Sequence, residues 1–511
     1  MTTQGVSGID RKDIDRQLRG SSLLLAGRLI SKFINFGVQV AIIRMLTKDD
    51  FGAFAYGLAL VAAGEVLVKL GLGQGANRFV PYYFERREFD ELLGTLVLVA
   101  TTILVLGAGG FGLIWWISAQ GLEGFPDGTG GSVVLMLSLL APVQALDQLC
   151  VQTLACFAKP WQILIRKHLL GPMLRLLAVG AAFLVDGRPD VLAAAYLAGG
   201  VFGVLICAHL VLKELFNQGM LPGHLHSFRI PWSPLLRYSL PLISSDLVVI
   251  TMTGVTTVLL MYTGGEIEVA SMRAVAPAAV LNLLIVQSFG ILFLPSAARL
   301  FARRDFAAMS QHHWESVAWV AVFSFPIFAL TFCIAPNLVT LLFGQEYADS
   351  AIVLAVLSLG SYASVVTAFS AESLQVLHTT RPLVWSNLLM IVSSVLLAVL
   401  LCPLFGALGA AIAVTSARMA GVLIRQIALV KSPHMSETPT TIRLMWLQIF
   451  LASLAVTVVG WFWQPALLIQ MLVVILVCLG LLKVCARSLD ITRTFPELLR
   501  LPLLSRILAR G

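Results

Sequence analysis

Apolar runs of about 20 or more residues, parted by short polar breaks, recur along almost the whole chain. At a rise of ~1.5 Å per residue, each such run crosses a ~30 Å hydrocarbon layer as one helix. Fourteen segments can be read in this way, at 21–45, 52–73, 93–119, 131–157, 161–185, 190–214, 234–262, 268–297, 312–335, 347–376, 382–402, 405–430, 442–463 and 466–486. Between and after them, 76–92 and 487–511 are amphipathic and basic, a pattern that predicts helices lying along a membrane surface. The first twenty residues are polar and mixed in charge, and the run that follows is too long for a signal-peptide core. It is therefore expected to remain as the first span.

Landmarks recur between the two halves at an almost constant offset. Arg19-Gly-Ser-Ser opens the first span and Arg237-Tyr-Ser-Leu the seventh; Arg86-Arg87 follows the second and Arg303-Arg304 the eighth; Lys159-Pro160 precedes the fifth and Arg381-Pro382 the eleventh. The expected architecture is thus an all-α polytopic membrane protein of 14 transmembrane helices. Two pseudo-symmetric six-helix lobes, 21–233 and 234–431, would share one orientation, and two C-terminal helices would occupy 442–486. The segment 1–20 would be an N-terminal tail and 487–511 a basic C-terminal tail.

Composition agrees. The chain is 58% hydrophobic and 12% charged, against about 25% charge in soluble chains. Most lysines and arginines fall on one side of the expected membrane, including Arg86, Arg87, Arg166, Lys167, Arg303, Arg304, Lys431 and Arg487. Loops on the other side hold Arg44, Lys48 and Arg188 among acidic residues such as Asp49, Asp50, Glu123, Asp127, Glu266 and Asp349. By the positive-inside rule both termini are expected to face the cytoplasm, and the net charge of +8 calls for no nucleic acid. The seven cysteines stand in or beside apolar runs with no metal-ligand spacing, which predicts buried free thiols and no metal. Two other signals carry little. Gly71-x-Gly73-x-Gly75 follows a span rather than a strand and reads as a helix end. His224-x-His226 and His312-His313 read as solvated histidines at head-group level.

The chemistry lies in charges at membrane depth. In the first span Arg28, Lys32, Asn35 and Gln39 step by four, three and four, so they form one stripe. Arg175, Arg273 and Arg418 lie within the fifth, eighth and twelfth spans. The carboxylates at similar depth are Glu65, Asp147, Asp246 and Glu372, with Asp246 near the place in the second lobe that Arg28 takes in the first. Ionisable groups at this depth mark wet pathways or paired sites. One reading is a cation-lined cavity between the lobes that holds a phosphate-bearing head group, since guanidinium groups match phosphate oxygens in pairs. The other is ion pairing between helices, such as Glu65 with Lys69 or Arg28 and Asp246 with a partner in its own lobe. Asp147, Asp246, Glu372 and Glu65 are also candidates for coupling to H+ or Na+.

Several stretches resemble bacterial oligosaccharide flippases of the polysaccharide transporter (Wzx-type) family. They are Arg44-Met-Leu-Thr-Lys-Asp-Asp-Phe51-Gly52, Gly71-Leu-Gly-Gln-Gly-Ala-Asn-Arg78-Phe-Val, Leu294-Pro-Ser-Ala-Ala-Arg299, Phe343-Gly-Gln-Glu346-Tyr347 and Gly406-Ala-Leu-Gly409-Ala-Ala. Their order and spacing span nearly the whole chain. The resemblance implies the fold of the multidrug/oligosaccharidyl-lipid/polysaccharide exporter (MOP) superfamily. It also implies alternating-access transfer of a polyprenyl-diphosphate-linked oligosaccharide for surface polysaccharide biosynthesis, alongside polysaccharide polymerase and glycosyltransferases, in contact with membrane lipids and without an organic cofactor. By position, Arg28 and Lys32 would hold the diphosphate. A cation-coupled drug exporter of the same superfamily is the alternative, though surplus positive charge would repel cationic drugs. A membrane glycosyltransferase or polymerase is remote, because no extramembrane loop is large enough to carry catalytic groups.

Overall fold

A computed structural model describes residues 11–121, 125–157, 159–220, 229–463 and 465–488, with side chains from Gly27 onward except at 240–245, 292 and 486–488. The first ten residues, the basic tail from 489 and the His224/His226 pair lie outside the described residues. The described residues form helices and no strands. Lipid cannot satisfy backbone N–H and C=O groups, so a spanning chain must satisfy them within its own helices. Among the described residues, ten helices are long and apolar enough to cross a membrane. Two of these, Asp246–Ile291 and Arg381–Val430, run through a sharp bend and so cover two expected segments each. The stretch from Pro160 to Phe183 also matches an expected segment, but it carries Arg166, Lys167 and Arg175 and is less apolar.

The chain divides into two compact units, Met1–Asp246 and Leu247–Gly511. The first begins with α1 (Arg11–Met45) and α2 (Lys48–Lys69). Their short connection is fixed by Thr47. Its hydroxyl accepts from the Asp50 amide at 3.2 Å and donates to the Asp50 carboxylate at 2.7 Å, and Asp49 and Asp50 sit where the helix dipole favours negative charge. The glycine signal at 71–75 is a helix junction: Leu70 and Gly71 take left-handed conformations and α3 (Leu72–Arg86) starts there. That helix buries Leu72, Ala76, Val80 and Tyr83 on one face. Arg78 stays outside it and stacks on the Tyr238 ring, 4.4 Å from its centre. Next come α4 (Phe89–Ala119), α5 (Gly128–Ser138) and α6 (Leu140–Cys156). They are followed by α7 (Pro160–Ile163), a π-helical turn (Leu164–Leu170), α8 (Gly171–Phe183) and α9 (Pro189–Asn217). Leu92, Ile103, Ala145, Leu154 and Cys207 close a core among these helices. Leu104, Val105, Leu113, Trp115 and Trp116 of α4 are left exposed, as a lipid-facing surface requires.

In the second unit the bends fall at glycines with positive φ, Gly265 (71°) and Gly406 (54°). The second bend is braced. The Glu268 carboxylate accepts the Ala407 amide at 2.6 Å and so caps the helix that restarts there. The helix Phe306–Phe328 is buried along most of its length, and Phe328 stacks on Tyr362 with ring centres 4.1 Å apart. It also corrects the reading of His312 and His313 as solvated loop residues. The helix starts at Phe306, capped by Asp305, and its inner face runs through Met309, His313, Val317 and Val320. His313 is completely buried, with Nδ1 3.0 Å from the Ser373 hydroxyl, and His312 Nε2 lies 2.5 Å from that of Ser296. The helices Thr440–Thr457 and Leu467–Ser488 pack into this unit, where Trp461 donates to the Phe332 carbonyl at 3.0 Å and Trp446 lies edge-on to Trp314.

The capped bend makes a stability prediction. Glu268→Ala removes an N-cap and should cost about 1 kcal/mol. Gly406→Ala should cost about 1–2 kcal/mol more, because it strains a positive φ and drives a Cβ into the Glu268 carboxylate. Melting of the purified protein in detergent reads both, and Glu268→Gln, which keeps an acceptor oxygen, should melt close to the parent.

Candidate functional site

The first unit encloses a cavity of about 460 Å³. Each wall reflects a local rule of helix geometry. From α1 the stripe delivers Arg28, Lys32 and Asn35, with Ser31 between them. From α6 come Gln144, Asp147 and Gln148, three and four residues apart on one helix face. The π-helical turn delivers Arg166, Lys167 and His168 together. Its i→i+5 closure takes up more residues per turn, so successive side chains fan out by less than the ~100° of an α-helix. Three consecutive residues can therefore all reach one cavity. Glu65 of α2, Arg175 of α8, and Tyr196, Gly199 and Gly200 of α9 complete the lining.

Five lysine and arginine side chains face the cavity against two carboxylates. Both carboxylates are engaged. Glu65 accepts from Lys69 at 2.8 Å, and the same ammonium donates to Gln148 at 2.8 Å. Asp147 pairs with Arg166 at 2.7 Å, the Arg166 side chain being only 7% exposed. Arg175 donates to Asn35 at 3.1 Å, and Ser31 Oγ lies 3.1 Å from His168 Nδ1. Arg28 and Lys32 stand four residues apart on one helix face, where like charges repel. Such an arrangement keeps an excess of positive charge in a space that favours an anion.

Arg166 owes its position to a glycine. A Cβ at Gly203 on α9 would fall within 2.7 Å of the Arg166 Cζ, inside van der Waals contact, so the bare backbone leaves room for the guanidinium. At Gly27 an added Cβ would meet Leu164 and His168, so this glycine lets α1 approach the π-helical turn.

Of the residues singled out by sequence, Arg28, Lys32, Asn35, Arg175, Glu65 and Asp147 line this one cavity. Gln39 is half-buried one turn beyond Asn35 and does not line it. Asp246 accepts from Gln74 at 3.2 Å, within its own unit. Arg273, Arg418 and Glu372 belong to the second unit: Arg273 and Glu372 are half-buried, and Arg418 donates to Ser361 at 2.9 Å. The cavity lies wholly within the first unit. Arg166 and Lys167, which the charge pattern puts with the inner-loop cations, stand in the helical run and line the cavity, joined by His168, Gln148 and Tyr196, which no sequence pattern singles out. The available signal was the Arg-Lys-His triplet inside a segment already counted as apolar.

No protein-family model and no curated protein matches the sequence. Solved structures match in fold. The lipid II flippase MurJ in an inward closed conformation superposes with a TM-score of 0.71 at 15% identity, over 92% of this chain and 99% of its own. An inward-facing multidrug resistance MATE family transporter of the MOP superfamily gives 0.63 at 14% identity, over 79% and 96%. A MOP superfamily transporter from Pyrococcus furiosus, described as having a binding pocket of reversed polarity, gives 0.54 at 15% identity, over 84% and 100%. These neighbours are transporters and flippases rather than enzymes. The chain has the all-helical fold of the MOP-superfamily transporters.

The seating of Arg166 is testable by stability. Gly203→Val puts a side chain where the guanidinium lies and should break its pair with Asp147. Separating such a buried pair costs about 3–5 kcal/mol, so the purified variant should melt well below the parent. Gly180→Ala, where the added methyl meets open space, should not.

Proposed function

We propose that this chain is a flippase that moves a polyprenyl-diphosphate-linked oligosaccharide across the bacterial cytoplasmic membrane by alternating access, upstream of surface polysaccharide assembly. The observation that carries this reading is the cavity itself, where five cations meet two carboxylates and both carboxylates are already engaged. A diphosphate offers several charged oxygens, which arginine forks and lysine ammonium groups bind as charge-assisted hydrogen bonds. Arg28 and Lys32 would hold it from α1, and Arg175 from α8. A membrane-embedded cationic cavity without an anionic occupant is electrostatically costly, so the charge excess fits an anionic cargo and opposes a cationic drug. The similarity in fold to a lipid II flippase is in keeping with this assignment.

The setting follows from the same reading. Both termini would face the cytoplasm, and polysaccharide polymerase and glycosyltransferases would work beside the protein. Coupling to H+ or Na+ would fall to Asp147, Glu65, Asp246 or Glu372. A drug exporter remains the rival within the fold, and it predicts resistance phenotypes indifferent to Arg28 and Lys32.

Reconstituted vesicles loaded with a fluorescent polyprenyl-diphosphate oligosaccharide test the assignment. Arg28→Ala and Lys32→Ala should each lower the transport rate at limiting substrate by about 10- to 100-fold, as loss of a ~1.5–3 kcal/mol charge-assisted bond predicts. Lys32→Arg should keep most of it. A wild-type protein that moves no diphosphate lipid, in cells whose polysaccharide export ignores both alanine variants, would sink the proposal.

A further inference from the structure

Arg166 is more than nine-tenths buried, lines the cavity and meets Asp147 through one nitrogen at 2.7 Å. Among the described residues neither its buried Nε nor the Asp147 Oδ1 that faces it has a hydrogen-bond partner, so the contact is an ion pair rather than an aligned hydrogen bond. A guanidinium carries five N–H donors in a fixed fork, and this contact uses one nitrogen. The group is thus an under-filled anion site, facing a cavity, with a carboxylate in the place of an anion. Asp147 also has alternatives: Lys167 and Arg175 are the other cations near enough to attract it, and both line the same cavity. The second carboxylate of the cavity is held differently. Glu65 is gripped by a lysine that Gln148 holds in turn, so it has no comparable freedom.

We infer that Asp147 is a resident surrogate for the cargo: it holds Arg166 until a diphosphate enters, then yields the guanidinium and turns to Lys167 and Arg175. The inference rests on the anionic-cargo reading and adds to it Arg166 as a ligand and an exchange step. The exchange keeps the most buried cation of the cavity compensated throughout the cycle. It also weakens binding, because the competent state is only a fraction of the population. A carrier gains from this, since the displaced carboxylate stands ready to reclaim Arg166 and expel the head group.

Calorimetry on the full-length protein in nanodiscs tests the step, with inorganic pyrophosphate and farnesyl diphosphate as probes. Asp147→Asn removes the competitor and should tighten both probes by about tenfold, the factor expected when a competent fraction near one tenth is raised to one. Arg166→Gln should weaken both, and in its background Asp147→Asn should no longer tighten binding. A general gain of positive field would tighten it in either background, and that result overturns the exchange. So does a wild type that binds both probes while Asp147→Asn leaves their Kd unchanged, although the anionic-cargo reading then stands. If the wild type binds neither probe, both fall. Equal affinity of the wild type for the two probes would overturn the lipid as the source of the diphosphate. Should Asp147→Asn not fold, infrared difference spectra of Glu65→Gln decide instead: adding pyrophosphate should shift a carboxylate band, and an unshifted carboxylate region rejects the exchange. Glu437→Gln, an exposed position that does not line the cavity, is the control and should bind as the parent does.

Discussion

A guanidinium cannot be buried among apolar helices unless something carries its opposite charge close by. Removing such a group from water costs several kcal/mol even after relaxation. In the first unit that constraint is met at Arg166, and much of the cavity wall follows from meeting it. Asp147 must stand on the adjoining segment at contact distance. Gly203 must lack a side chain so that the guanidinium can lie against α9. The turn carrying Arg166 must be widened, which brings Lys167 and His168 round to the same space. Gly27 must be bare so that α1 can close against that turn. The α1 stripe then completes the far wall. Pairing, glycine placement and helix type are one solution to one electrostatic problem.

That solution leaves the cavity positive overall. One carboxylate for each cation would cancel that charge, but only Arg166 of the five is buried; Lys32 is half-buried, and Arg28, Lys167 and Arg175 are exposed. The excess is instead gathered in one place, with two like charges a helical turn apart on α1. Like charges this close repel, and ionisable groups at membrane depth mark wet pathways or paired sites. The neutral neighbours, Asn35, Gln144 and Gln148 among them, add hydrogen-bonding capacity without changing that balance.

Much of this was legible in the sequence because the relevant rules are local. Helix length against bilayer thickness gave the segments, and 3.6-residue periodicity gave the α1 stripe, whose Arg28, Lys32 and Asn35 do share a wall. Glu65 and Lys69, four residues apart, were readable as a pair and are one. Gln39 was read as a member of the stripe but extends past the cavity, since periodicity fixes a face and not where the neighbouring helix ends. What was missed depends on tertiary contact or on departures from the α-helix. Nothing in Leu164–Leu170 announces a π-helical turn, so Arg166 and Lys167 read as inner-loop charges. The partner of Asp147 could be found only by bringing α6 against that turn. His313 read as solvated because the polar residues around it mask an inward face that only the helix register reveals.

The second unit shows how differently the same kind of residue can be used. There Arg418 reaches Ser361, and Arg425 reaches the Gly421 carbonyl and the Met390 sulfur. The space between helices is taken up by stacked rings, Phe293 on Phe369 and Phe328 on Tyr362. His313 and Ser373 form a buried contact at 3.0 Å, whereas the first unit buries Arg166 in an ion pair. Stacked aromatic rings leave little room for water, and Arg418 and Arg425 settle into local hydrogen bonds. The first unit does the reverse: glycines replace bulk at the points of closest approach, and the room gained holds charge. If the two halves descend from one repeat, as the landmark residues suggest, their divergence lies in what fills the gaps between similar helices.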